Sequence, residues 1–219
     1  MDEAARPGAP VSRSNELIDV LVAPRSLFLA PDDPDRWRRF LTATLLLAAL
    51  SGAILIPSYA HVTQPHRLPP FALWGKPLVE AIVVSLGIGL SFGSVLLMKL
   101  AGFLRVERAA LWTLVNEIAL VKLGLSTAVL SVIVLLIGAH ITSAADIVRA
   151  MPSLAMLVPD QTSRAAAVLG VIDPFNLWVW SLYALAFTVV AGKRPVAAYA
   201  LGFVVAILPQ LLTRVLFGW

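Results

Sequence analysis

The chain has 219 residues, of which 59% are hydrophobic and 14% charged, and its mean hydropathy is +0.86. This composition excludes an ordinary soluble domain, in which roughly half of the residues are apolar and about a quarter are charged, and indicates that a lipid bilayer is the solvent. Because the chain has no cysteine, disulfides, thiolate metal sites and a cysteine nucleophile are excluded. The net charge of +4 fits Lys and Arg on the cytoplasmic side of membrane spans better than nucleic-acid binding.

The first 36 residues form a polar arm that is rich in Pro, Arg and Asp. No short apolar run with a small-residue cleavage site is seen there, so no cleavable signal peptide is predicted. From about residue 14 to 30, apolar residues recur at near-helical spacing around Pro24, which predicts an interfacial helix on the inner leaflet. The predicted lipid-facing residues are Leu17, Val20, Leu21, Leu27 and Phe28, and the predicted water-facing residues are Glu16, Asp19 and Arg25.

Residues 37–219 contain five stretches that approach the ~20 apolar residues needed to cross a hydrocarbon core of about 30 Å. The predicted spans cover residues 40–57, 78–98, 123–139, 174–192 and 195–217. The sequence therefore predicts an all-α fold, a polytopic helical membrane bundle with five transmembrane helices in one membrane domain. A second interfacial helix is predicted on the outer side, where apolar residues repeat around Pro152, namely Ile147, Met151, Leu154 and Val158.

The distribution of Lys and Arg predicts the orientation of this bundle. With the N-terminus inside, eleven of these residues fall on the inner side and five on the outer side, which is the bias expected of a cytoplasmic N-terminus. Five spans then place the C-terminus outside. At the outer end of the fourth span, Asp173 and Pro174 are expected to start the helix, since Asp suits an N-cap and Pro a first turn.

Three ionisable residues, Glu80, Glu117 and Lys122, fall at or near membrane depth, where a charge is by default a functional hypothesis. We favour the alternative that residues 105–122 are an amphipathic lead-in, with Glu117 in the wet layer and Lys122 snorkelling. One straight helix over residues 109–139 would be about 46 Å long, more than the hydrocarbon core. Five residues apart, Glu117 and Lys122 are not expected to pair along a helix. Glu80 is expected to be an interface anchor.

Small residues repeat at intervals of four in two spans, a pattern that lets membrane helices approach closely. They either close the bundle of one chain, which we favour, or form the interface of a homo-oligomer. The residues are Ser85, Gly89 and Gly93 in the second span and Ala198, Gly202 and Ala206 in the last span.

No catalytic constellation accompanies these features. A nucleophile elbow, a phosphate loop and a dinucleotide fingerprint are all missing from the sequence. His61, His66 and His140 lack supporting acidic neighbours, whereas a zinc site needs three or four ligands. No catalytic residue, metal or cofactor is therefore predicted.

The order of these elements resembles the Yip (Ypt-interacting protein) membrane-domain family in its bacterial form, over roughly residues 17–216. A Pro-x-x-x-Phe-like element precedes the first span, and a Phe-x-x-Trp element, a basic turn at 192–194 and a small-residue last span stand near the end. The resemblance implies a five-span integral membrane protein. Eukaryotic members look like adaptors for Rab-type GTPases, but their Tyr-Gly-type signature is not present here. The matching residues are Pro24 and Phe28, then Asp173, Pro174, Phe175 and Trp178.

Together with this resemblance, the sequence predicts a non-enzymatic scaffold or adaptor in a bacterial cytoplasmic membrane. Its expected partners are membrane lipid and other membrane proteins, with no nucleic acid. The alternative is a small-solute or proton-coupled carrier that uses Glu117 and Lys122, with Pro209 as a hinge.

Overall fold

The computed structural model describes residues 16–29, 33–62, 75–137, 152–160 and 163–217. Regular secondary structure in these ranges is entirely helical, so the all-α prediction is confirmed for this part of the chain. The helices are α1 (Glu16–Val22), α2 (Pro24–Leu29), α3 (Arg36–Val62), α4 (Lys76–Leu100), α5 (Arg108–Ala119), a π-helical segment (Leu120–Leu125), α6 (Ser126–Ile137), a 3-10 turn (Leu154–Leu157), α7 (Arg164–Leu169), α8 (Pro174–Val189), α9 (Pro195–Ala206) and α10 (Leu208–Phe217).

Three helical stretches in the described ranges are long and apolar enough to cross a membrane. They are residues 36–56 of α3, 77–100 of α4 and 108–136, which run through α5, the π segment and α6. A fourth is obtained if α9 and α10, which are bent by 40°, count as one span. α8 has 16 residues, so it is about 24 Å long and falls somewhat short of the hydrocarbon core. Length and composition thus support three to four of the five predicted spans.

The helices pack around α3, which contacts α4, α5, the π segment and α6. α8 and α9 form a hairpin that packs along its length, and α8 also contacts α5 and the π segment while α9 contacts α4. The side chains that fill the space between these helices include Phe40 of α3, Ile118 of α5 and Tyr183 of α8, each no more than 1% exposed. The helices packed around α3 and the hairpin of α8 and α9 therefore share one apolar core.

The third span begins earlier than predicted. The helix does not start at residue 123 but runs without interruption from Arg108, changing to π-helical geometry over residues 120–125. The predicted start was wrong because Glu117 and Lys122 break the apolar run in the sequence, whereas the helix contains both residues. Residues 114–119 are all buried, so this part of α5 is packed inside the protein and is not an amphipathic lead-in on the leaflet.

The N-terminal arm also packs onto protein. The predicted helix is two short helices separated at Ala23, just before Pro24; α1 packs against α5 and α2 against α8. Val20, Leu27 and Phe28 are 0%, 3% and 7% exposed, so the prediction that they face the inner leaflet is wrong. The apolar positions were identified correctly, but the surface that covers them is the helical bundle.

The two small-residue faces differ in their surroundings. A Cβ on Gly202 would lie 3.1 Å from the backbone nitrogen of Ala184 and 3.1 Å from the carbonyl oxygen of Trp180, so α8 and α9 are in close contact there. Trp180 reinforces this contact by donating its indole N–H to the Tyr199 carbonyl at 2.7 Å. The flanking positions in the repeat, Ala198 and Ala206, are both buried.

The corresponding face of α4 has no such neighbour. A Cβ on Gly89 or Gly93 would meet no atom of the described residues within 4 Å, and Ser85 is exposed. Instead Gly87, one residue away from the repeat, lies against Leu123 of the π segment, 3.1 Å from its Cδ1. Within the described part, Ser85, Gly89 and Gly93 therefore do not form the intrachain contact that their spacing predicts.

The predicted outer interfacial helix is only partly covered by the structure. Ile147 and Met151 lie outside the described residues. Leu154 opens a single 3-10 turn that ends at Leu157, and Val158 follows it in extended conformation. Met156 and Leu157 are 66% and 78% exposed, so this turn presents apolar side chains outward.

Candidate functional site

The predicted charged residue Glu117 lies inside the protein and forms an ion pair with Arg36. The Nε atom of Arg36 is 2.6 Å from Oε1 of Glu117, and the two side chains are 7% and 1% exposed. The contact is an ion pair between two buried side chains. The interpretation that Glu117 lies in the wet layer is therefore wrong, because the packing of α5 against α3 turns its carboxylate inward.

The position of this pair along the helices is about 30 Å from the far end of each of the two apolar stretches. Arg36 is the first residue of α3, and the apolar stretch that begins there has 21 residues. About 20 residues separate Glu117 from the end of α6. At 1.5 Å per residue both lengths are about 30 Å, which equals the thickness of the hydrocarbon core. Arg36 and Glu117 thus each lie about one hydrocarbon thickness from the far end of their apolar helical stretch.

Polar and aromatic residues lie next to the ion-pair residues along α3 and α5. Asn116 is fully buried and donates from Nδ2 to the Trp112 carbonyl at 2.7 Å, while its Oδ1 atom has no hydrogen-bond partner among the described residues. The Trp112 ring lies 4.9 Å from the Phe92 ring and 5.9 Å from the Trp37 ring, both in edge-to-face contact. Tryptophan favours the interfacial level of a membrane, which agrees with the position of the ion pair.

A second ion pair attaches the arm to the bundle. Arg39 donates from Nη2 to Oε2 of Glu16 at 2.6 Å and to Oδ2 of Asp33 at 2.9 Å, and its Nε reaches Glu16 at 3.2 Å. The side chains are 34%, 14% and 30% exposed. Since Glu16 is the first residue of α1, this network fixes the start of the arm on α3. The sequence placed Glu16 on the wet side and gave no signal of its partner.

Lys122 is half-buried in the π-helical segment. No hydrogen bond or ion pair of its ammonium group occurs within the described ranges, and Glu117 pairs with Arg36, in agreement with the expectation that Glu117 and Lys122 do not pair. The segment lies tightly against α3, because a Cβ on Gly124 would be 3.4 Å from the Cα of Thr44. π-helical turns are frequent at functional sites.

The other residues predicted from the sequence lie in α2, in α4 and around the start of α8. Asp173 caps α8 by accepting the Asn176 backbone N–H at 2.9 Å, and Pro174 is the first helical residue. Glu80 is half-buried in the second turn of α4. Pro24 begins α2 and Phe28 is buried, whereas Phe175 and Trp178 of α8 pack against the core.

Sequence reasoning missed a polar cluster between α8 and α10. The side-chain amides of Asn176 and Gln210 bond to each other in both directions, at 2.8 and 3.2 Å, and Gln210 also donates to the Ala206 carbonyl at 2.8 Å. Arg214 donates to the Ala167 carbonyl at 3.0 Å. Each of these side chains interrupts an apolar stretch, which is the signal that could have identified them. They hold α10 where the chain bends after α9.

No group of three or more His, Asp or Glu side chains in the described ranges could hold a metal ion. Comparison of the chain with protein-family models, with curated proteins and with solved structures found no match. The proposals below therefore depend on the residues and the geometry of this chain alone.

The geometry predicts that Arg36 and Glu117 contribute to stability only as a pair. Replacing Glu117 by Leu leaves a buried guanidinium without its counter-charge, and we expect the free energy of unfolding in detergent to fall by about 3–5 kcal/mol. The double variant Arg36→Met, Glu117→Leu removes both charges and is expected to regain most of this loss. Unfolding of the four proteins in a double-mutant cycle measures the coupling.

Arg38 provides the control for this cycle. It pairs with Asp35 at 2.9 Å, but the two side chains are 67% and 62% exposed. Arg38→Met should therefore change the free energy of unfolding by no more than about 1 kcal/mol. An equal effect of Arg38→Met and Glu117→Leu, or independent effects of Arg36→Met and Glu117→Leu, would contradict the assignment.

Proposed function

We propose that this chain is a non-catalytic scaffold or adaptor of the Yip-like type in a membrane. The observation that carries the proposal is the docked N-terminal arm. Buried apolar residues hold α1 and α2 against the bundle, and the ion pair of Glu16 with Arg39 attaches the start of α1 to α3. The arm therefore has a fixed position at one end of the membrane helices, as a docking platform requires.

The outer face of this arm is apolar. Ile18, Val22 and Leu29 are 55%, 72% and 63% exposed, and the neighbouring Arg25 is also exposed. Apolar groups grouped in this way and bordered by charge mark a surface that another protein or the membrane covers. A scaffold that binds a second membrane protein through the arm accounts for both the docking and the exposure.

We further propose five spans with the N-terminus in the cytoplasm and the C-terminus outside a cytoplasmic membrane. α8 is about 24 Å long, and α9 with α10 contributes 22 helical residues, or about 33 Å. Lys193 and Arg194 lie between α8 and α9, where their charges favour the cytoplasmic side over membrane depth. The hairpin then crosses the bilayer twice.

This topology predicts which single cysteines react with an impermeant thiol reagent. The chain has no native cysteine, so each label is specific. Arg105→Cys and Arg194→Cys lie at exposed positions and should react only when the reagent reaches the cytoplasmic side. Met156→Cys, at a position 66% exposed, should react from outside. Labelling of position 194 from the same side as position 156 would contradict two crossings by α8 and α9.

A carrier is the second candidate, favoured by the position of Lys122 in a π-helical segment at membrane depth. It is less well supported because the acid that it requires, Glu117, already has Arg36 as its ion-pair partner. A solute or proton flux in proteoliposomes that Glu117→Gln abolishes while the protein stays folded would favour the carrier over the scaffold.

The adaptor role is tested with a photoreactive amino acid in the arm, in native membranes. We expect a discrete protein adduct from position 22, which is 72% exposed, and none from position 20, which is fully buried in α1. Glu16→Lys places a second cation beside Arg39, so it should release the arm and abolish the adduct. Adducts with lipid alone, or equal adducts from both positions, would contradict the proposal.

A further inference from the structure

An apolar groove with a volume of about 390 Å³ lies between α1, α3 and the π-helical segment. All of its lining residues are Leu or Ala, among them Leu17 of α1, Ala43 and Leu50 of α3, and Leu120 of the π segment. A cavity holds water only where polar groups can bond to it, so this groove excludes water. It requires an apolar occupant.

The groove continues along one face of α3 and opens to the side. Ala43 and Leu50 lie on the same face as Arg39, because residues three or four apart are neighbours on a helix. Leu46 and Leu50 are 65% and 58% exposed, so the groove opens where bilayer hydrocarbon surrounds α3. Arg39 stands one helical turn before Ala43, at the end of the groove that meets the edge of the apolar layer.

The described residues do not use all the hydrogen-bond donors of the Arg39 guanidinium. Its Nε and Nη2 atoms bond to Glu16 and Asp33, and no hydrogen bond of Nη1 occurs within the described ranges. The Arg39 side chain is 34% exposed, so the guanidinium is only partly covered by the protein. Arginine binds phosphate oxygens well because its planar group presents N–H donors in a fixed geometry.

We propose that this groove binds one membrane phospholipid. An acyl chain lies along α3, between this helix and Leu17 of α1. The phosphate accepts a hydrogen bond from Nη1 of Arg39. The carboxylates of Glu16 and Asp33 flank this position, so they attract a headgroup that carries an ammonium and repel one with a net negative charge. The site is therefore selective for a zwitterionic, amine-bearing phospholipid. This lipid site rests on the proposed location of the chain in a membrane, but it does not depend on the proposed adaptor role.

Native mass spectrometry of the full chain in mild detergent tests the site. The protein is incubated with equal amounts of phosphatidylethanolamine and phosphatidylglycerol that have identical acyl chains. We expect one phosphatidylethanolamine to be retained in preference. Ala43→Phe fills the groove and should lower its retention about tenfold, as a loss of about 1.4 kcal/mol would. Asp33→Asn should reduce the preference for phosphatidylethanolamine.

A second groove supplies the matched control. It has a volume of about 310 Å³, lies between α3 and α4, and is lined by Ala81 and Leu45 among others. Ala81→Phe should leave lipid retention unchanged. Leu50→Trp, at the exposed end of the first groove, is an independent filling variant in case Ala43→Phe does not fold. If the filling variants leave phospholipid retention unchanged, or if Ala81→Phe lowers it equally, the first groove is not the lipid site. If the protein retains both lipids equally, the assignment of an amine-bearing headgroup is overturned.

Discussion

The buried ion pair of Arg36 with Glu117 is the constraint on which the arrangement of this protein depends. A charge left alone in apolar surroundings is costly, so α3 and α5 cannot slide past each other without exposing each residue to that cost. The 2.6 Å contact therefore fixes the relative position of the two helices along their axes. Because α3 also packs against α4, the π segment and α6, that position also constrains how these helices lie relative to α5.

The same end of α3 organises the arm. Three residues after Arg36, Arg39 binds Glu16 and Asp33, so a single helical turn connects the bundle core with the start of α1. α1 in turn contributes Leu17 to the groove and presents Val22 to the exterior. If the groove holds a lipid, α1 packs against an acyl chain, and the stability of arm docking then depends on lipid occupancy. The proposed adaptor surface and the proposed lipid site would be coupled through this short helix.

Hydropathy predicted the helices because membrane-spanning stretches need uninterrupted apolar runs, and the described residues of the five stretches are helical except at 190–192 and 207. It failed at the third span, where two charged residues lie within one continuous helix, and it cannot decide whether α8 crosses the membrane. The partner of Glu117 could not be predicted either. Arg36 was counted only as a cytoplasmic charge, and a contact between residues far apart in the sequence follows from how α3 and α5 pack. Residue spacing likewise located Gly202 but could not indicate that a Cβ on Gly89 would meet no atom of the described residues within 4 Å.

The exchange of charges between positions 36 and 117 tests the central claim most directly. Arg36→Glu alone places two carboxylates together, and Glu117→Arg alone places two guanidinium groups together. Each single variant should therefore yield much less folded protein from membranes. The folded protein is measured as the monodisperse fraction after detergent extraction. The double variant Arg36→Glu, Glu117→Arg restores opposite charges and should recover a substantial part of that fraction. Normal folding of either single variant, or a double variant no better than the worse single one, would contradict a direct contact between the two buried side chains.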